Sequence, residues 1–290
     1  MERKYYEAYD DRYRQIHSQN LQWFYDDPTP IVIETVKEFG IPQSQKILEL
    51  GCGEGRDAYG LLQLGYEVLA TDISEAAIQY ARNKWPQYGK NFAVLDCIDG
   101  KLKEKFDFIY AVAVVHMLVE DAHRDAFYRF IRNHLTETGT ALICTMGDGT
   151  IERQTDINTA FDLQTRTHEQ TGKQVQIAST SCRMVSFDTL RKELQRNGLV
   201  ILREGITAAP PDFPQLMHAI VKTNEILRAF GADRLIFATD YPDSRSLQPS
   251  EIYDSYFDIL NQMDFTIEEA EKIAYGNISE ILKNKGVHYD

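Results

Sequence analysis

The chain has 290 residues, of which 43% are hydrophobic, 26% charged and 11% aromatic, proportions that exclude a disordered, collagen-like or repeat-built protein. Its net charge of −13, from 31 basic and 44 acidic residues, opposes non-specific binding to nucleic acid or to an anionic membrane. No apolar run reaches the length of about 18 residues that predicts a membrane span, and the opening MERKYYEAYDDRYRQ lacks the apolar core of a signal peptide. Cys52, Cys97, Cys144 and Cys182 form no CxxC pair, which predicts a reducing, cytoplasmic setting with neither a disulfide framework nor a zinc ribbon.

The first elements are aromatic. Residues 3–25 hold Tyr5, Tyr6, Tyr9, Tyr13, Trp23, Phe24 and Tyr25, and residues 1–40 are expected to form a helical lid. Thr29 is placed to cap a helix, Pro30 suits its first turn and Gly40 its end. Apolar runs of strand length follow at 46–50, 66–71, 91–95, 106–113 and 139–146. Segments of helical period separate the first three and the last two: RDAYGLLQLG, SEAAIQYARNKW and EDAHRDAFYRFIRNHL. Strands apolar throughout and separated by helices predict a parallel sheet covered on both faces. SFDTLRKELQRNG (186–198) then reads as a helix ended by glycine. LVILREGIT and QLMHAIVK, joined by AAPPDFP, have no helix between them and can pair only antiparallel if they are neighbours. The expected fold class is α/β: a doubly wound, Rossmann-like, seven-stranded sheet, mostly parallel and closed by an antiparallel hairpin. A small α-rich C-terminal appendage follows. From Thr223 onward the chain carries 13 acidic and 6 basic residues (net −7), against −6 for the first 222, so 1–222 and 223–290 are treated as two units.

The informative stretch is ILELGCGEGRDA. A strand ends near Glu49, glycines stand at 51, 53 and 55, and a helix opens near Arg56. Glycine lets a backbone turn sharply and approach a ligand, while a helix N-terminus offers free N–H groups. Asp72 stands at the tip of the second strand, about 20 residues on, where a carboxylate can accept both hydroxyls of a ribose. The third strand ends in Asp96 and Cys97. Several strand ends thus supply polar or small residues to one cleft, where open α/β sheets bind ligands. The spacing is GxGxG with an acid before it, not GxGxxG. An acid there would repel a pyrophosphate and could hold a cationic amino group.

From about Lys46 to Lys222 this pattern resembles the class I S-adenosylmethionine-dependent methyltransferases, in particular the small-molecule branch with a type 11 or type 25 domain. The resemblance implies an enzyme that transfers a methyl group from S-adenosylmethionine to a small molecule. It implies that Glu49, Gly51, Cys52, Gly53 and Gly55 hold the methionine part of the cofactor. Asp72 would bind the ribose, with Ile73 beside the adenine. Asp96 and Cys97 would contact the adenine edge, and Ala111 and Val112 would line the amino-acid end. A nicotinamide-dependent reductase and a non-catalytic cofactor-binding regulator are the alternatives.

Because a sulfonium methyl group is already activated, the enzyme must mainly align a nucleophile and exclude water. His116 is the candidate base if one is needed; its other reading is a packing or capping histidine. Cys52 and Cys97 read as small packing residues, since nothing nearby in sequence lowers their pKa. Tyr5, Tyr9, Trp23 and Tyr25 are candidates to contact the substrate, as is the insertion at 147–185. Such aromatics suit an amine or a planar ring, or else they simply pack the N-terminal helices onto the sheet.

The tail from Thr223 resembles the last β/α unit of the metal-dependent amidohydrolases of the second amidohydrolase family, through Asp240-Tyr241-Pro242 and Gly276-Asn277. None of the seven histidines (17, 116, 123, 134, 168, 218, 288) lies two residues from another, so the metal-binding His-x-His pair of that family is missing and no metal site is expected. The tail is read as a non-catalytic appendage, with a homodimer through it as one outcome.

Overall fold

The computed structural model describes residues 3–209 and 213–223. In chain order these form α1 (Ala8–His17, entered through a 3-10 turn at Tyr5–Glu7), α2 (Pro30–Glu38), β1 (Lys46–Leu50), α3 (Arg56–Gln63), β2 (Glu67–Asp72) and α4 (Glu75–Lys84). Next come β3 (Phe92–Val94), β4 (Phe106–Val112), α5 (Asp121–His134) and β5 (Leu135–Met146). Four short strands build the insertion: β6 (Arg153–Gln154), β7 (Leu163–Thr167), β8 (Gln174–Ala178) and β9 (Arg183–Met184). The chain then closes with α6 (Phe187–Arg196), β10 (Leu199–Ala209) and β11 (Phe213–Thr223).

Seven strands make one sheet in the order β10-β11-β5-β4-β1-β2-β3. β1 to β5 run parallel, and β11 pairs antiparallel with both β5 and β10. This is the expected doubly wound, Rossmann-like sheet with its closing hairpin. Alternation along each strand divides the apolar residues between two cores. Leu48, Leu50, Ile109, Ala111 and Ile143 pack with Phe127, Tyr128, Ile131, Leu190 and Leu194 of α5 and α6. Ile47, Phe108, Tyr110, Leu142 and Cys144 pack with residues of α2, α3 and α4, including Val32, Leu61 and Ile78. Two helix starts follow local capping: Ser74 accepts the Ala77 N–H, and Ser186 the Thr189 N–H.

Thr29 departs from its expected role. It stands at the N-cap of α2 without capping it, because its hydroxyl donates to Asp57 Oδ2 at 3.0 Å and its N–H to Oδ1 at 2.5 Å. A buried carboxylate without donors costs more than a helix start without its side-chain cap.

The insertion and the N-terminal segment fold together. α1 is held against the start of α4, where Asp10 Oδ1 accepts the Ser74 hydroxyl (2.7 Å) and the Ala76 N–H (3.1 Å). On its other side Arg12 donates to the carbonyls of Ala178 and Ser179, at the end of β8, and the Tyr9 hydroxyl donates to the Ser181 carbonyl at 2.8 Å. Among the described residues no helix is long and apolar enough to cross a membrane. The amidohydrolase-like features, Asp240 and Gly276-Asn277, lie outside the described residues.

Candidate active site

The turn after β1 is built on glycine. Gly51, Gly53 and Gly55 have φ of 69°, 52° and 83°, a region that L residues avoid. A Cβ on Gly51 would stand 2.4 Å from Val114 Cγ2, and one on Gly53 would stand 2.4 Å from the Tyr13 hydroxyl oxygen. Asp72 pins this turn: one carboxylate oxygen accepts the Gly53 N–H and the other the Ser74 N–H, each at 2.8 Å. Burial pushes the Asp72 pKa up to about 6, even against these two donors. Glu49 is buried beside it and accepts the Tyr110 hydroxyl at 3.0 Å. Burial, Asp57 and Asp72 together hold its carboxyl well above the usual range. Neither Glu49 nor Asp72 has a basic side chain within ion-pairing distance among the described residues.

Around these acids lies an inner cavity of about 90 Å³, lined by Glu49, Gly51, Cys52, Gly53, Asp72, Ile73, Asp96, Cys97 and Val112, among others. Burial raises both thiols, Cys97 to about 12 and Cys52 well above its usual value, so neither is a thiolate at neutral pH. The N-terminal segment roofs the cavity. Lys4 Nζ meets Asp96 Oδ2 at 2.7 Å and also pairs with Asp99, while Asp96 Oδ1 accepts the Ile98 N–H. Glu54 gathers the next stretch by accepting the N–H groups of Trp23 (2.7 Å) and Phe24 (3.0 Å) and bonding His17 Nε2 (2.8 Å).

Beyond this roof opens an outer cavity of about 700 Å³, walled by α1, the insertion and the start of β11. Tyr9, Phe24, Ala113, Met117 and Phe213 line both cavities and form the seam between them. Two of the described non-glycine residues with positive φ border the outer cavity, Ala113 (56°) and Thr180 (62°). For a β-branched threonine this is a strained conformation, of order 1–3 kcal/mol, of the kind that collects at functional sites. His116 is buried on the outer cavity with no partner for Nδ1. Burial, with the charges of Arg124 and Arg12 adding to it, pushes its pKa down to about 3, so the ring is neutral through the physiological range.

Several residues expected at the site stand elsewhere. Ala111 points into the core under α5, because strand alternation gives the cleft to Val112. Gly55 starts α3, and the space beside it is filled by the rings of Phe92 and Trp85. The Tyr5 hydroxyl accepts the N–H groups of Val119 and Glu120 and bonds His123, a packing role away from either cavity. Tyr25 lines neither cavity, whereas Tyr9 lines both and Trp23 the outer one. Tyr13, Glu54, Arg12 and Phe213 are site residues that sequence reading missed. Only the aromatic richness of residues 3–25 hinted at the first of them.

Residues 48–141 match the family model of a methyltransferase domain. Over 100 residues the chain is 30% identical to the "Probable S-adenosyl-L-methionine-dependent methyltransferase TehB" of Haemophilus influenzae, covering 34% of this chain and 35% of that protein. It is 32% identical over 117 residues to the tRNA (carboxymethyluridine(34)-5-O)-methyltransferase of Saccharomyces cerevisiae, covering 40% of each. The chain therefore spans well under half the length of these curated relatives. Among solved structures, an S-adenosylmethionine-dependent methyltransferase from Clostridium acetobutylicum superposes with a TM-score of 0.53 at 17% identity, over 75% of this chain and 98% of that one. The fold is thus that of the class I methyltransferases. Within it, residues 48–141 are the segment that matches a methyltransferase domain.

Proposed function

We propose that the protein transfers a methyl group from S-adenosylmethionine to a small-molecule acceptor by in-line displacement. The observation that carries this reading is the pair Glu49 and Asp72, buried carboxylates at a glycine turn on the strand ends, with no basic side chain in ion-pairing distance among the described residues. A pyrophosphate would be repelled there, whereas an amino-acid ammonium and ribose hydroxyls are matched to these acceptors. Asp72 keeps lone pairs for a ribose after serving Gly53 and Ser74. Glu49 and the amides of the turn suit the amino-acid end, while Asp96 and Cys97 suit the adenine edge.

The cofactor supplies a methyl group already activated on a sulfonium, and the chain's own residues do the rest. Ala113, Met117 and Phe24 at the seam exclude water and hold the acceptor against the inner cavity. His116 is neutral and its Nδ1 has no partner among the described residues, so the ring can donate to or accept from a polar group of the acceptor according to its tautomer. A base protonated only near pH 3 is poorly matched to remove a proton at neutral pH. An inner cavity of about 90 Å³ is smaller than the roughly 300 Å³ or more of a typical ligand pocket, so Tyr13 and the 3–25 segment must shift to admit a nucleoside. Thermal-shift measurements test the reading. S-adenosylmethionine and S-adenosylhomocysteine should raise Tm while NAD and NADP do not; a shift with the dinucleotides alone would sink it.

A further inference from the structure

We propose that the outer cavity receives an anionic acceptor, one with a carboxylate or phosphate beside a flat or apolar body. This deepens the methyl-transfer reading and rests on it.

The cavity is furnished with guanidinium groups that lack counter-ions. Arg12, on α1, is buried, yet all its hydrogen bonds go to neutral acceptors: the carbonyls of Ala178 (3.0 Å) and Ser179 (2.7 Å) and the hydroxyl of Thr180. Arg166 on β7 and Arg153 on β6, both exposed to solvent, also line the cavity, and among the described residues neither has a carboxylate within ion-pairing distance. Burial and the nearby Arg166 depress the Arg12 pKa, as expected where cations crowd without an anion between them. A buried charge held only by dipoles is an incomplete arrangement, and a ligand anion completes it. This is the more telling because the chain as a whole carries −13.

The cavity's own carboxylates, Asp148 and Glu169, form no ion pair with these arginines among the described residues. Asp148 stays anionic but faces its own turn, accepting the N–H groups of Thr150 and Ile151 and the Thr150 hydroxyl. Glu169 is exposed and makes no ion pair among the described residues. Both nitrogens of His168 are bonded, one to Thr171 and the other to the Gln22 carbonyl. Trp23, the aromatic a cationic acceptor would seek, already faces two of the protein's own cations: Arg12 stands 5.1 Å and Arg166 5.6 Å from the ring. An amine is therefore repelled where a carboxylate is drawn in, which reverses the amine preference that the aromatic content alone suggests. The arginines lie on the α1 and insertion walls, while Ala113 and Met117 lie at the seam. An acceptor anchored by its anion therefore presents its other end to the inner cavity.

The test uses the full chain saturated with S-adenosylhomocysteine and four calorimetric probes: 4-hydroxybenzoate, phenyl phosphate, the uncharged methyl 4-hydroxybenzoate and the cationic tyramine. At least one anion should bind about tenfold or more tighter than both the ester and the amine, as expected when a charge-assisted bond replaces a neutral one. Arg153→Gln and Arg166→Gln remove side chains without ion pairs. They should weaken that anion about threefold or more and leave the ester and S-adenosylhomocysteine affinities unchanged. Which anion wins separates carboxylate from phosphate. Binding of ester or amine as tight as the best anion, no anion binding, or anion affinity untouched in both variants would overturn the proposal while the cofactor reading stood. Failure of S-adenosylhomocysteine to bind would bring down the cofactor reading, and this inference with it.

Discussion

The inner and outer cavities share a wall but are built by opposite means. The inner one is acidic and made of strand ends: Glu49 on β1, Asp72 on β2, Asp96 after β3 and Val112 on β4. The outer one is arginine-rich and made largely of pieces outside the sheet, α1 and the short strands of the insertion, joined by the start of β11. The first region repeats what a class I sheet presents at its carboxyl edge. The second is built chiefly by segments outside the matched 48–141 stretch, α1 and the insertion at 147–185. If the proposed methyl transfer holds, the division teaches that cofactor binding and acceptor choice reside in different parts of the sequence and should respond to different substitutions.

The largest effect is expected where the two regions are joined. Arg124 and Glu193 form a fully buried bidentate pair, at 2.7 and 2.6 Å, and Arg124 also donates to the Val115 carbonyl (2.7 Å) in the turn that carries His116 and Met117. Glu193→Ala leaves that guanidinium buried and unpaired. It should cost about 3–5 kcal/mol in denaturant unfolding. A loss under 1 kcal/mol would mean that the seam is not held this way.

Asp72→Ala should act next, and on two counts. S-adenosylhomocysteine binding should weaken by about 1.5–3 kcal/mol, and the fold should lose about 1–3 kcal/mol because the Gly53 and Ser74 N–H groups are orphaned. Calorimetry and urea melts separate the two losses.

The same residue predicts a pH dependence. An acid raised to about 6 is protonated below that pH, and a protonated Asp72 is a poorer acceptor for ribose hydroxyls. Affinity for S-adenosylhomocysteine should hold above pH 7 and fall by up to about tenfold per unit below pH 6. Asp72→Asn, measured across the same range, should flatten this slope.

The smallest effect falls on the roof. The Lys4 pairs with Asp96 and Asp99 are partly exposed, so Lys4→Ala should change stability by less than about 1 kcal/mol. It should also alter cofactor affinity less than about fivefold, since Asp96 is freed rather than lost. A large loss of affinity would show that the roof is part of the binding site.

The same division decides what could be read from sequence. The succession of strands and helices, the glycine turn, Asp72 and Asp96 are legible because each rests on local pattern: apolar runs, closely spaced glycines, acids at strand tips. Tyr13, Glu54 and Arg12 are not, because their roles depend on where α1 lies across the sheet; Arg12 reaches partners 166 residues away. Thr29 looked like a local cap until a carboxylate 28 residues on claimed its hydroxyl. Ala111 and Val112 differ by one residue, and the two-residue period of a strand sends one to the core and the other to the cleft.

The most direct measurement is calorimetric titration of S-adenosylhomocysteine into the full chain at pH 7.5, repeated with Asp72→Asn and Arg166→Gln. One site per chain is predicted, weakened about tenfold or more by the inner substitution and unchanged by the outer one. Absence of binding to the unaltered chain, or NAD binding in its place, would contradict the account.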